Sequence, residues 1–170
     1  SLSNAGTFSL GADASTVTLP ALTAAKSAVF GASNGGKVLA NASSSTYAAL
    51  NAYNTCGPIS LMAATGVGSQ LDLTSLRSFD GSFDDSAGCA TWQTVTASDS
   101  GVLKLPSVAT MTGPARGEDY LSVTANTNGS IDLSGLGSIR GGGRTYFSLA
   151  STSHVTLGAV LLSAPFTMTL

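Results

Sequence analysis

Charge is what this sequence has least of. Lys, Arg, Asp and Glu supply 9% of its 170 residues, against about 25% in ordinary globular domains. With a net charge of −2 there is no basic stripe to follow a nucleic acid backbone, so no nucleic acid partner is expected. Solubility has to come from Ser, Thr, Asn and Gly. Helical periodicity is missing, and no apolar run approaches the ~18 residues that a membrane-spanning helix needs, so no membrane span is expected. One His and two Cys are too few for an obvious structural zinc site. No G-x-S-x-G elbow marks a nucleophile. Disorder is a poor reading, because 43% of the residues are hydrophobic and they are placed periodically.

What is present is a phrase of four residues, a leucine and a second apolar residue enclosing two small or turn-forming ones. It occurs as Leu19-Pro20-Ala21-Leu22, Leu50-Asn51-Ala52-Tyr53, Leu73-Thr74-Ser75-Leu76, Leu105-Pro106-Ser107-Val108, Leu133-Ser134-Gly135-Leu136 and Leu157-Gly158-Ala159-Val160. The leading leucines are 31, 23, 32, 28 and 24 residues apart, a period of stacked arrays. Two positions before them stand Val17, Ala48, Leu71, Leu103, Ile131 and Val155, and between lie the mostly polar Thr18, Ala49, Asp72, Lys104, Asp132 and Thr156. Alternation with period two is the mark of a strand with one buried face. Three residues after the second apolar position come Ala25, Cys56, Phe79, Met111, Ile139 and Ser163, with Leu162 the better core residue in the last case.

A further alternating segment precedes each unit, at Ala40/Ala42, Ala63/Thr65, Val95/Ala97, Val123/Ala125 and Phe147/Leu149. Between segments lie stretches such as Ser33-Asn34-Gly35-Gly36, Asn126-Thr127-Asn128-Gly129 and Gly141-Gly142-Gly143, whose residues tolerate the positive φ of tight corners. The pattern predicts an all-β chain: one parallel β-helix, or β-solenoid, of about six coils over residues 1–170, with insertions longest within 23–47 and 77–95. At a coil spacing of roughly 4.8 Å the rod is about 30 Å long.

The L-P-x-L-x-x-I phrase with its Gly/Ser/Asn turns resembles the coils of right-handed β-solenoid repeats in large secreted surface proteins and adhesins, over about residues 7–170. The resemblance implies an extracellular, cell-surface structural or adhesive scaffold rather than an enzyme. Low charge and abundant hydroxyls agree with that setting. The chain starts Ser1-Leu2-Ser3, which fits a mature secreted product or a segment of something longer.

Several residues invite chemical readings. Cys56 and Cys89 either form a disulfide between adjacent coils, or Cys56 packs as a small hydrophobe in the core file. Asp80, Asp84 and Asp85 form a solvated acidic turn, a Ca²⁺ site without EF-hand spacing, or a sugar-cleaving centre like that of pectin-degrading β-helix enzymes. No other cofactor is expected. His154, the only histidine, falls on an outward strand phase with Thr16, Tyr47, Gln70, Val102 and Ser130. Asp72, Lys104 and Asp132 fall in one outward column of alternating sign. Thr94, Thr96, Ser122, Thr124, Thr167 and Thr169 make a hydroxyl-rich outward face, interrupted by Tyr146, suited to an ice or glycan surface; Thr is also simply a good strand residue. Earlier coils place Leu39, Asn41, Met62 and Ala64 on that face. Asn41-Ala42-Ser43 and Asn128-Gly129-Ser130 match the glycosylation sequon.

The segments at the two ends, with Phe8 and Leu10 in one and Phe166, Met168 and Leu170 in the other, carry no helix, charged strand or blocking proline. Bare solenoid ends are templates for added strands. The expected partner is therefore the chain itself: head-to-tail stacking into a filament or surface layer, unless the solenoid continues.

Overall fold

The computed structural model describes residues 8–41, 44–49, 56–85 and 88–170, and among them there are strands and no helix. Each coil contributes three strands in order. Coil 1 holds β1 (Phe8–Asp13), β2 (Thr16–Thr18) and β3 (Ala24–Lys26); coil 2 holds β4 (Ala28–Ser33), β5 (Lys37–Leu39) and β6 (Ser45–Ala48). Coil 3 holds β7 (Pro58–Thr65), β8 (Gln70–Asp72) and β9 (Leu76–Asp80); coil 4 holds β10 (Trp92–Ser98), β11 (Val102–Lys104) and β12 (Thr110–Thr112). Coil 5 holds β13 (Tyr120–Ala125), β14 (Ser130–Leu133) and β15 (Ser138–Arg140); coil 6 holds β16 (Arg144–Leu149), β17 (His154–Leu157) and β18 (Leu161–Leu162). A last strand, β19 (Phe166–Thr169), opens a seventh coil. Three parallel sheets result: sheet I, β1-β4-β7-β10-β13-β16-β19; sheet II, β2-β5-β8-β11-β14-β17; and sheet III, β3-β6-β9-β12-β15-β18. The fold is the parallel β-solenoid of six coils that the repeats predict.

The core is a set of files running along the stack. In sheet II, Val17, Val38, Leu71, Leu103, Ile131 and Val155 are register partners. In sheet III the file is Ala25, Tyr47, Phe79, Met111, Ile139 and Leu162. In sheet I, Leu10, Phe30, Met62, Val95, Val123, Phe147 and Met168 line up. Alternate residues point out, so strands in the middle of the stack show one buried and one half-exposed face, as in the alternation of β13, while β2, β17, β18 and β19 at the ends have no buried residue.

Every connection between sheets I and II contains left-handed backbone: Ala14, Asn34 and Gly35, Gly66 and Gly68, Asp99 and Ser100, Thr127 and Asn128, and Thr152. The leucine phrase is the connection between sheets II and III. Its fourth N–H donates to its first carbonyl, as in Leu76 to Leu73 (2.9 Å), Val108 to Leu105 (3.2 Å) and Leu136 to Leu133 (2.9 Å). That is a β-turn with both apolar ends turned into the core, which explains why small residues and Pro sit in the middle.

Coil 2 departs from the sequence reading. The backbone bonds Leu19 N–H to Leu39 C=O and Ala40 N–H to Asp72 C=O (both 2.7 Å) place Ala40 in the file of Leu19, Leu73, Leu105, Leu133 and Leu157. Leu50, expected there, falls among residues that the structure does not describe, and Ala48 and Ala49 sit one sheet further on. The stretch 23–47 is therefore not an insertion; it holds the strands of coil 2. Tyr47, expected outside, is 1% exposed in the core, and Lys37 takes its place beside Thr16 and Gln70. Tyr47 also displaces Cys56 from the sheet III file, stacking on Phe79 with centroids 4.9 Å apart. In sheet I the pairs Ala40/Ala42 and Ala63/Thr65 give way to Phe30/Ala32 and Met62/Ala64. Met62 and Ala64 thus point inward, and a bulge at Leu61 shifts β7 by one residue against β10.

Candidate functional surfaces

Sheet I carries the hydroxyl face. Thr94 pairs with Ser122 and Thr96 with Thr124, all half-exposed, and Thr167 and Thr169 continue the columns outward on β19. Ser122 and Thr124 bond to each other (3.1 Å), as do Ser98 and Thr65 one column away (3.2 Å). Tyr146 lies between Ser122 and Thr167 in the first column. Toward the start of the chain the Thr96 column shrinks to Ala63, Gly31 and Gly11, leaving a shallow trough of about 330 Å³ flanked by Asp13, Ser33 and Thr65.

Two aromatic rings beside the hydroxyls, Trp92 and Tyr120, were not singled out from the sequence, and they lead to Tyr146 within the first column. Trp92 stacks on Tyr120 (5.4 Å, 5°), and Tyr120 meets Tyr146 edge-on (5.1 Å, 81°). The signal was available: Trp92 and Tyr120 are 28 residues apart, the spacing of Leu105 and Leu133. The Trp92 and Tyr120 rings cover one another's faces, so the row locks coil register more than it presents flat rings to a ligand.

The acidic loop is divided. Asp80 accepts from Ser82 N–H (3.0 Å), Asp84 is exposed, and the Asp85 carboxylate is fully buried. Asp85 pairs with Arg116 (2.8 Å) and accepts from the Thr91 hydroxyl (2.8 Å). Thr91 N–H donates to Asp119 (2.9 Å), and Arg116 also touches Glu118. Burial, together with the nearby Asp85 and Glu118, pushes the Asp119 carboxyl above its ordinary value, outweighing Thr91 N–H and Arg116. One Asp119 oxygen is buried without a partner. The network ties the long loop after β9 to the connection after β12. Arg116-Gly117-Glu118-Asp119 is a dense charged run in a chain with few charges, a clue that sequence reading passed over. Among the described residues no group of three or more His, Cys, Asp or Glu side chains is arranged to hold a metal ion, and Asp80, Asp84 and Asp85 do not converge.

Cys56 and Cys89 are joined by a disulfide with Cα atoms 5.5 Å apart. They precede Pro58 and Trp92, which are register partners on β7 and β10. In the outward column of sheet II, Lys104 bonds Asp72 (3.3 Å). Burial raises the Asp72 pKa, but hydrogen bonds from Thr74 and Lys104 and the Lys104 charge hold it below the ordinary value. Asp132, next in the column, caps Ser134 N–H (2.9 Å). His154 is exposed on β17. Asn41 and Asn128 are exposed; Ala42 and Ser43 of the first sequon lie outside the described residues.

The ends of the stack differ. β19 is the free edge of sheet I, and around it Leu161 (71%), Leu162 (47%), Met168 (42%) and Leu170 (88%) are exposed, with Phe166 half-buried against Phe147. At the opposite edge Leu10 of β1 packs on the core, while the Phe8 side chain lies outside the description. Apart from these four residues, Val67 is the only exposed large hydrophobic among the described residues. No described helix is long and apolar enough to cross a membrane. Comparison with known proteins finds no matching family, no matching curated protein and no matching solved structure.

Proposed function

We propose that this chain is a non-enzymatic structural module of an extracellular or cell-surface protein, a short β-rod that joins end-on into a filament or surface layer. The observation that carries this reading is the exposed apolar end of the stack: among the described residues the exposed large hydrophobics are Leu161, Leu162, Met168 and Leu170, all on the last coil and β19, and Val67. Coil packing inside the chain buries the same files by parallel pairing, so adding another β-coil continues an arrangement already made many times over. The disulfide supports an oxidising compartment. Negative-stain microscopy and light scattering of the purified chain test it: rods that associate end-on are expected, and a monomer at every concentration contradicts it.

The second reading is an ice- or glycan-binding face on sheet I, favoured by the side-by-side placement of Thr94 with Ser122 and Thr96 with Thr124. Thermal hysteresis, or retention on an insoluble polysaccharide, tests it. The double change Thr96→Tyr/Thr124→Tyr abolishes the effect on this reading; activity that survives the change removes it.

A further inference from the structure

We infer that the outward face of sheet I binds a neutral, extended β-1,4-linked glycan lying along the rod axis. This rests on the second reading above and names the ligand as a sugar chain rather than ice. Among the described outward residues of sheet I only Asp13, on β1, and Arg144, on β16, are charged, and both are engaged within the chain. Asp13 accepts from Ser33 (3.0 Å) and Asn34 (2.7 Å), and Arg144 donates to the Tyr146 hydroxyl (3.2 Å). Between them the face offers hydroxyls and rings. An ionic polymer would meet no counter-charge there, whereas an uncharged polyhydroxylated chain needs none.

The hydroxyl pairs suit a chain better than a crystal plane. They are complete on β10, where Thr94 stands beside Thr96, and on β13, where Ser122 stands beside Thr124 and bonds it (3.1 Å). On β16 Tyr146 takes the first place, and toward the start of the chain Ala63, Gly31 and Gly11 lower the second column. An ice plane needs an unbroken flat lattice, and Tyr146 stands across it. A sugar chain needs only a few consecutive contacts, and its apolar C–H faces pack on an aromatic ring. Tyr146 is held in place for such a contact. Its ring is turned 81° from Tyr120, with centroids 5.1 Å apart, and its hydroxyl is tied to Arg144, so little ordering remains to be done on binding. Successive coils are roughly 4.8 Å apart, close to the step between sugars in an extended β-1,4-linked chain. Such a ribbon turns its hydroxyls to either edge alternately, and hydroxyl columns side by side meet both edges. The trough over Gly11, Gly31 and Ala63 continues the Thr96 column and leaves the chain room to run on.

Calorimetry of the purified chain with cellohexaose should show binding, and with the α-linked maltohexaose none. In the NMR spectrum cellohexaose should move the methyl resonances of Thr94, Thr96 and Thr124 and leave those of Val102, on the outward face of sheet II, in place. Tyr146→Thr separates sugar from ice, because it removes the ring and fills the gap in the first hydroxyl column. It should weaken cellohexaose binding about tenfold, with β circular dichroism unchanged and no thermal hysteresis. The methyl shifts come from the unaltered chain, so they decide the matter even where the variant fails to fold. Thermal hysteresis in the unaltered chain that rises in Tyr146→Thr would keep the second reading and overturn this inference. Equal binding of maltohexaose, undiminished binding by a folded Tyr146→Thr chain, or sugar binding that leaves the sheet I methyls unmoved would overturn it as well. A chain that shows no hysteresis and is retained by no polysaccharide overturns both.

Discussion

Gln93 points inward from β10, in a file with Ile59, Leu121, Thr145 and Phe166. Its amide nitrogen and oxygen are both buried without partners. An unmade hydrogen bond at a buried amide costs about 1–3 kcal/mol. Gln93→Leu keeps much of the volume and removes the polar atoms, so urea melts should show a gain of about 1 kcal/mol; a loss of stability would show that the amide is satisfied. Asp119 gives a prediction with a pH signature. Its folded-state pKa is raised above the ordinary 3.8, so its ionised form weighs against the fold above that pKa, and the penalty disappears below the unfolded value. Asp119→Asn should therefore be more stable than the parent at pH 7, the advantage fading toward pH 3. Asp72 behaves oppositely. Its lowered pKa stabilises the fold above 3.8, and that contribution is lost as pH falls through the folded value. An Asp119→Asn advantage independent of pH would contradict the assignment. Neither the Gln93 nor the Asp119 environment was legible in the sequence, because period-two patterning tells which face a residue occupies and not which polar atoms meet across a corner.

The strands and corners explain which parts of the repeat were readable. Leu73, Leu105 and Leu133 announce their coils because each begins a turn whose fourth residue also enters the core. Coil 2 was misread because Ala40 fills the leucine file without announcing it, and the sequence after it, Asn41-Ala42-Ser43, offers no second apolar residue at the phrase's fourth position. The Leu61 bulge moved one sheet I segment by a residue, which in a strand exchanges inside for outside. Corners between sheets I and II impose a stricter rule. A Cβ on Gly129 would lie 2.1 Å from the Ala97 carbonyl oxygen, and one on Gly101 2.1 Å from that of Ala64. Backbone cannot yield there without separating two coils. Gly129→Ala should cost at least about 2 kcal/mol, measured by thermal or urea unfolding; a neutral effect would mean that this corner opens easily. Ser69 and Ser153 stand at the matching point of coils 3 and 6, so the demand belongs to particular coils.

For the molecule as a whole, the number of coils and their parallel order were within reach of the sequence, since both follow from the spacing of apolar residues. The loop network of Asp85, Arg116 and Asp119 was not, because it lies in connecting segments outside the apolar alternation from which the coils were read. The proposed assembly depends on the stack being one continuous object whose coils lie directly over one another. The most direct measurement is a set of nuclear Overhauser contacts between methyl groups in the leucine file. Contacts from Ala40 to Leu73, Leu73 to Leu105, Leu105 to Leu133 and Leu133 to Leu157 are predicted. A contact from Leu50 to Leu73 in place of Ala40, or no contact between residues a full coil apart, would contradict the account.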